Sequence, residues 1–371
     1  MIVARSHHRF TVNPATVLRQ TLPPFYDEPR HRVDEFQRVP GLALALKAAV
    51  DSDRTSGRFL LTGSVTMPAA QPAGDSLAGR VVGTRVFGFS QGERAGRRDD
   101  FVRAVLRGAL EAQYRSGMGR ADYVDLLAAG SMPEACRLPQ RYRADWLESY
   151  VSRLLGRDLR EFSRLSDPRR LRSLLAGLAA AQGSETVVAR LGGAVNLSAS
   201  TTTSYMELLH ALHLVERLPP WTPNLLKREV GRSKYLLTDS ALAMRLTRTS
   251  PDTLKDLVRG GALGGLLEAF VAAELMRQST WCEERFTISH YRSPDGREID
   301  LILELDDGRV IAVEVKAASS VSAADARHLR WLEGRIGDRL TAGVVLTTDD
   351  RSRHLGGRLW AVPVAALWEF G

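Results

Sequence analysis

The sequence predicts an α/β multidomain chain with a mostly helical middle, on three observations. Apolar residues recur at helical spacing through 101–175. Short apolar or alternating runs bounded by Gly, Pro and Asp turns mark strands near Arg58 and again from Arg285 onward. The chain has 371 residues, 44% of them hydrophobic, which is more than one compact core accommodates. The expected division is an α/β front over 1–100, a helical region over 101–180, a helix–turn–helix–ribbon over 181–255 and a second α/β domain over 256–371.

With 51 basic and 43 acidic side chains, the formal charge of +8 suits a polyanionic partner, DNA rather than RNA, as well as it suits a generally arginine-rich composition. No run of about 18 apolar residues predicts a membrane span. The N-terminal MIVARSHHRFTVNP lacks the apolar core of a secretory signal, and Cys136 and Cys282 have neither paired nor metal-type spacing, so a cytoplasmic location is expected. Only five basic residues are lysine, namely Lys47, Lys227, Lys234, Lys255 and Lys316. None follows Gly or precedes Ser or Thr, so the chain has no P-loop, and ATP hydrolysis by that machinery is not expected.

From the front, residues 1–33 carry Pro14, Pro23, Pro24 and Pro29 without periodicity and read as loop with at most one short helix. Asp34 and Glu35 precede Phe36-Gln37-Arg38-Val39-Pro40; a helix runs through Val50, and Arg58 to Ser64 reads as a buried strand ending in a polar turn. These residues resemble prokaryotic ATP-binding proteins with an N-terminal AAA-type module and a C-terminal winged-helix and nuclease-like region. The resemblance makes Asp34 and Glu35 Walker B-like and Thr62 and Ser64 part of the sensor turn, with Leu77-Ala78-Gly79-Arg80 and Ser90-Gln91-Gly92-Glu93 also matching. The glycine-rich loop that should precede Asp34 is absent, so the front is expected to be a truncated ATPase remnant without ATP as cofactor; a misassigned start codon would look the same.

Helical spacing then links Phe101, Val102, Val105, Leu106 and Leu110, and later Trp146, Tyr150, Leu154 and Leu155. Ten arginines against five acidic residues over Arg137–Arg172 read as a solvated face with internal ion pairs. A short helix near Thr186–Arg190, a Gly192-Gly193 turn, a helix opened by Ser198 or Ser200 and a Pro-rich ribbon ending in Lys234-Tyr235-Leu236-Leu237 look like a winged helix, which the same family has here. In that arrangement Ser200, Thr201, Thr202 and Ser204 would enter a major groove, while Lys227, Arg228 and Arg232 would meet phosphates. Glu207 and His210 have Glu-x-x-His spacing, but no second copy exists to complete a metal site.

In the C-terminal domain, Leu263, Leu267, Phe270, Val271 and Leu275 predict an amphipathic helix with Glu268 at the edge of its apolar face. Strands follow at Arg285–Arg292, Glu298–Leu305 and Val310–Lys316, then a helix at Ala323–Ile336 and a strand at Ala342–Thr347. Alternation places Asp300 away from Ile299, Leu301 and Leu303, and sets Glu314 and Lys316 opposite Val313 and Val315. A three-residue turn at Asp306–Gly308 brings Asp300 across from Glu314, where two like charges need a positive one between them. Magnesium suits that position, because it takes a few carboxylate oxygens together with water and phosphate.

This order resembles the restriction-endonuclease-like PD-(D/E)xK superfamily. The resemblance implies that Asp300, Glu314 and Glu268 bind magnesium and that Lys316 positions the attacking water or stabilises phosphoryl charge, giving metal-assisted phosphodiester hydrolysis. The competing expectations are a nucleotide-binding regulator and a non-enzymatic DNA-binding or toxin–antitoxin-type interaction protein.

Overall fold

The computed structural model describes residues 31–36, 39, 41–55, 57–64, 77, 79–111, 113–158, 167–222, 231–256 and 261–370. Its Cα framework divides into two compact units, Met1–Thr84 with Leu208–His213, and Arg85–Glu207 with Leu214–Gly371.

In the first unit, β1 (His31–Val33) leads to α1 (Leu42–Ser52) and then to β2 (Phe59–Leu61), which lies parallel to β1 with His31 beside Phe59 and Val33 beside Leu61. A parallel pair needs a crossover, and α1 supplies it. Val33, Leu42, Ala43, Leu46 and Leu77 form a small core flanked by Phe36, Phe59 and Leu61.

The second unit opens with α2 (Gln91–Arg94), a single turn held by a reciprocal capping box between Ser90 and Glu93. Next come α3 (Phe101–Leu106), α4 (Arg120–Ala129), α5 (Pro133–Cys136), α6 (Gln140–Arg153) and α7 (Pro168–Ala180). The last shows why these segments are helical. Asp167 caps the Arg169 and Arg170 N–H groups, Pro168 sits in the first turn, and Leu171, Leu174, Leu175 and Leu178 form one buried stripe.

Helices α8 (Val188–Ala194) and α9 (Ala199–Ala211) precede an antiparallel pair, β3 (Val215–Leu218) and β4 (Lys234–Leu237), registered with Val215 opposite Leu237 and Leu218 opposite Lys234. The Ser198 hydroxyl accepts from the Thr201 N–H at 3.2 Å, so Ser198 starts α9. Lys227 and Arg228, expected to reach phosphates, lie outside the described residues. Next are α10 (Ser240–Thr247), capped by Asp239, and α11 (Pro251–Lys255).

Helix α12 (Leu263–Gln278) departs from the expected amphipathic pattern. It is buried on nearly every side, with Glu274, Arg277 and Gln278 as enclosed as its leucines, so it is a central helix rather than a surface one. Beside it a six-stranded sheet combines β5 (Phe286–Arg292), β6 (Glu298–Leu305), β7 (Val310–Lys316), β8 (Leu340–Thr347), β9 (Arg353–Gly356) and β10 (Leu359–Pro363) in the order β5-β6-β7-β8-β10-β9. The β5–β6–β7 meander is antiparallel, whereas β7–β8 and β8–β10 are parallel. The crossover from β7 to β8 is α13 (Arg327–Ile336), whose Leu329 and Leu332 pack with Ile302, Ala312 and Val345. It starts later than expected, because 323–326 form turns. The β9–β10 hairpin and α14 (Ala366–Glu369) extend the domain beyond the elements predicted. Among the described residues no helix is long and apolar enough to cross a membrane.

Candidate functional site: a carboxylate cluster around a buried lysine

The β6–β7 hairpin positions three of the expected residues, Asp300, Glu314 and Lys316. Its turn closes through Leu305 N–H to the Arg309 carbonyl and Gly308 N–H to the Leu305 carbonyl, both 2.9 Å, with Gly308 at φ 85°. Leu301 pairs with Val313, and one further step along this register sets Asp300 across from Glu314. There the backbone ladder gives way to a side chain, since Asp300 Oδ2 accepts from the Val315 N–H at 2.8 Å. Lys316 lies 3.2 Å from Glu314 Oε2. Glu314 Oε1 is buried with no hydrogen-bond donor among the described residues, and His328 Nδ1 stands 3.8 Å away.

Glu268 comes to the same cluster from α12. Its carboxylate lies against Gly183, where a Cβ would meet Glu268 Oε2 at 2.8 Å and the Gly265 backbone at 3.0 Å; only glycine lets the turn after α7 approach this closely.

The group that joins these residues is Lys234, at the start of β4. Its ammonium is 2.8 Å from Glu268 Oε1, 2.9 Å from Glu298 Oε1 and 4.0 Å from Asp300 Oδ1, and the residue is 2% exposed. The backbone delivers it there through a hairpin tied on both sides. Trp221 N–H donates to the His290 carbonyl, His290 N–H to the Pro219 carbonyl, and the His290 ring bonds the Arg232 carbonyl. On the other flank Thr186 N–H donates to the Ser233 carbonyl, and Glu185 bridges to Lys234.

Burial and mutual repulsion set the protonation of the cluster. Burial pushes the Glu268 carboxyl up to about 8, with Asp300 adding to the rise and Lys234 opposing it. Burial likewise carries Glu314 up to about 8, with Asp300 again adding and Lys316 opposing. Asp300 is raised by burial against the pull of Lys234. Burial works against Glu298 too, but the hydrogen bond and charge of Lys234 outweigh it and hold this carboxyl below its ordinary value. Lys234 is disfavoured by burial yet lifted above the ordinary lysine value by the carboxylates around it. Lys234 and Glu268 therefore both shift upward, which a simple ion pair would not do. One ammonium does not offset the desolvation and repulsion at Glu268, so its carboxyl stays raised although its oxygen accepts the lysine hydrogen bond. Burial and the Lys234 charge push His290 down to about 4, so the cations beside the cluster include Lys234, Lys316 and Arg292, the last 3.3 Å from Glu298 Oε2.

The expected magnesium set fits poorly. Among the described residues no group of three or more His, Cys, Asp or Glu is arranged to hold a metal ion. The space between Glu268 and Asp300 faces the Lys234 ammonium, and Asp300 spends one oxygen on the Val315 N–H. Sequence reasoning foresaw that something positive must stand among these carboxylates, but it assigned the place to magnesium. It missed Lys234 and Glu298, although both left signals. Lysine is rare in this chain, and Glu298 shares the face of Asp300 by alternation.

The other expected residues fall in two places. Thr62 Oγ1 donates to Asp34 Oδ1 at 2.5 Å and Ser64 Oγ to Glu35 Oε2 at 3.2 Å, so the acidic pair and the turn meet at the ends of adjacent parallel strands. On α9, Ser200 and Ser204 are exposed and Thr201 is half-buried. Thr202 corrects the expectation, because it is 0% exposed and bonds the Ser198 carbonyl at 2.8 Å beside Gly192, so it cannot enter a groove. Arg232 is exposed. A cavity of about 710 Å³ lies away from the cluster and is lined by Arg143, Arg172, Arg245 and Arg248. Glu148 takes Arg172 and Arg245, and Arg143 bonds three backbone carbonyls, so these charges serve the helical packing.

Comparison with known proteins divides the chain in three. Residues 6–95 match a family described as AAA domain, residues 120–253 a domain of unknown function (DUF8612) and residues 263–367 another (DUF4143). Uncharacterized proteins of Mycobacterium tuberculosis and Mycobacterium bovis are each 27% identical over 290 residues, which is 78% of this chain and 59% of theirs. The chain thus spans less than two thirds of the length of these relatives. No solved structure matches it.

Proposed function

We propose that this is a DNA-associated protein of the AAA type, with a winged-helix module and a C-terminal PD-(D/E)xK-like domain whose acidic site is charge-closed by Lys234. The observation that carries this reading is the hairpin that sets Asp300 opposite Glu314, two residues before Lys316, with Glu268 joining from α12 and Lys234 bridging to it. In such a domain Asp300 and Glu314 would hold magnesium, which polarises phosphate and activates water. Here the residues favour the internal ammonium, and no cleavage step is assigned to them. The α8–α9–β3–β4 order supports a winged helix, in which Ser200, Ser204 and Arg232 are the exposed residues suited to phosphates and groove edges.

Fluorescence anisotropy with labelled duplex DNA should show saturable binding that weakens steeply with salt, while wild type in magnesium releases no more product than Glu314→Ala. Undetectable DNA binding at low salt would remove the reading. Cleavage by wild type well above that of Glu314→Ala would show instead that the site is open.

A second reading, a nucleotide-responsive regulator, is favoured by the AAA match and by the Asp34–Thr62 and Glu35–Ser64 contacts. Titration calorimetry with ATP separates the two: the charge-closed, DNA-associated reading expects no saturable heat, and a heat lost in Asp34→Ala would establish the regulator.

A further inference from the structure

We propose that the cavity between α6, α7 and α10 is a binding site for a small aliphatic phosphate, a ligand with one or two phosphate groups on a compact non-aromatic body. The site is independent of the Lys234 cluster and of DNA binding. At about 710 Å³ the cavity falls within the roughly 300–1,000 Å³ of small-molecule sites. Buried Leu147, Ala241 and Met244 give it an apolar floor, and Arg143, Arg172, Arg245 and Arg248 stand around it. Among the described residues that line it, Glu148 is the one acid and no ring is present, so a nucleobase would find no stacking partner there.

Packing between the helices leaves most of this positive charge uncompensated. Glu148 is shared, with Oε1 2.8 Å from Arg172 and Oε2 3.2 Å from Arg245, so one carboxylate serves two guanidiniums. Arg143 spends its bonds on the neutral carbonyls of Ala128, Ala135 and Leu138, and burial holds its guanidinium below the ordinary arginine value. The Arg248 side chain is exposed and has no hydrogen-bond or ion-pair partner among the described residues. Its backbone ends α10 at φ 57° and ψ 30°, the left-handed conformation that favours glycine. The turn needs only main-chain groups there, the Arg248 and Thr249 N–H donating to the Arg245 and Met244 carbonyls. Arginine at this position therefore contributes nothing to the turn that glycine would not, and it adds a free fork at the cavity. Guanidinium forks match the oxygens of phosphate, and several around one recess suit a group with three acceptor oxygens.

The test uses the full chain, with fructose 1,6-bisphosphate and inorganic pyrophosphate as probes in titration calorimetry. Fructose 1,6-bisphosphate should bind saturably, one per chain, and more tightly than pyrophosphate, which has no body to cover the floor. Arg248→Gly should weaken that binding about tenfold or more, the cost of one charge-assisted contact. Its melting temperature should equal or exceed that of wild type, because glycine takes the left-handed conformation freely. Asp34→Ala, in the other unit, should leave the binding unchanged. The proposal is overturned if neither probe binds, if pyrophosphate binds as tightly as the sugar bisphosphate, or if Arg248→Gly binds like wild type. It is also overturned if Arg248→Gly loses duplex DNA binding to the same extent, which would assign these arginines to a nucleic-acid surface. Sugar bisphosphate binding by a chain that fails to bind DNA would support the site while removing the function proposed above.

Discussion

Replacing Lys234 by methionine should lower the unfolding free energy by about 3–5 kcal/mol at pH 8 in metal-free buffer, the usual cost of leaving a buried charge without its partner. The loss should be clearly smaller at pH 5. Methionine keeps the length of the side chain, so the deficit is electrostatic: Glu298 and Asp300 lose the cation at 2.9 and 4.0 Å. In wild type, Glu268 and Glu314 already have folded values near 8 against an ordinary 4.5. A carboxyl raised in this way favours the folded state fully only below about pH 4.5, and that contribution is lost as pH rises through 8, because the unfolded chain ionises first. Without Lys234, Asp300, already raised, moves further up and Glu298 loses the partner that holds it down, so the variant should lose stability more steeply than wild type between pH 5 and 8. Urea unfolding at the two pH values measures the difference. An equal penalty at both would mean that Lys234 acts through packing and not through charge.

A comparable loss, about 3–5 kcal/mol, is expected for Glu274→Ala on α12. Glu274 is 0% exposed; it accepts from Arg277 at 2.7 Å and from the Gln91 N–H at 2.9 Å. Burial pushes its carboxyl up, and Arg277 pulls it down. Arg277 also bonds the Gly88 and Thr238 carbonyls, while Gln278 accepts from the Phe101 N–H and donates to the Leu367 carbonyl. Removing the carboxylate strands a guanidinium inside the unit and frees the segment entering α2. Glu274→Gln keeps the acceptor geometry and should cost less. Chemical denaturation of both variants checks the ranking, and near-wild-type stability for Glu274→Ala would show that the pair contributes little.

The strands Glu298–Leu305 and Val310–Lys316 were legible to the residue, because alternation and a glycine turn are local properties. Their register was legible for the same reason: once Asp306–Gly308 is the turn, every cross-strand pair follows. Helix α12 was legible as a helix but not as a buried one, since its Glu, Arg and Gln read as a polar face until Gln91, Thr238 and Leu367 are seen to partner them. Thr202 was misjudged because a run of hydroxyls looks alike in sequence, while the Ser198 cap and the close approach of Gly192 turn one of them inward.

Sequence alone determined that Asp300 and Glu314 face each other and that the pair needs a positive charge, since both conclusions rest on short-range geometry and Coulomb's law. Lys316, two residues after Glu314, meets part of that need at 3.2 Å from Glu314, while the cation that reaches Asp300 from outside the hairpin was decided by tertiary structure. Lys234 lies 34 residues before Glu268 and reaches it only because the β3–β4 hairpin is fastened to β5. Nothing local to Lys-Tyr-Leu-Leu encodes that path. The fold buries the cluster and carries the Lys234 ammonium among Glu268, Glu298 and Asp300, a meeting that only long-range packing brings about.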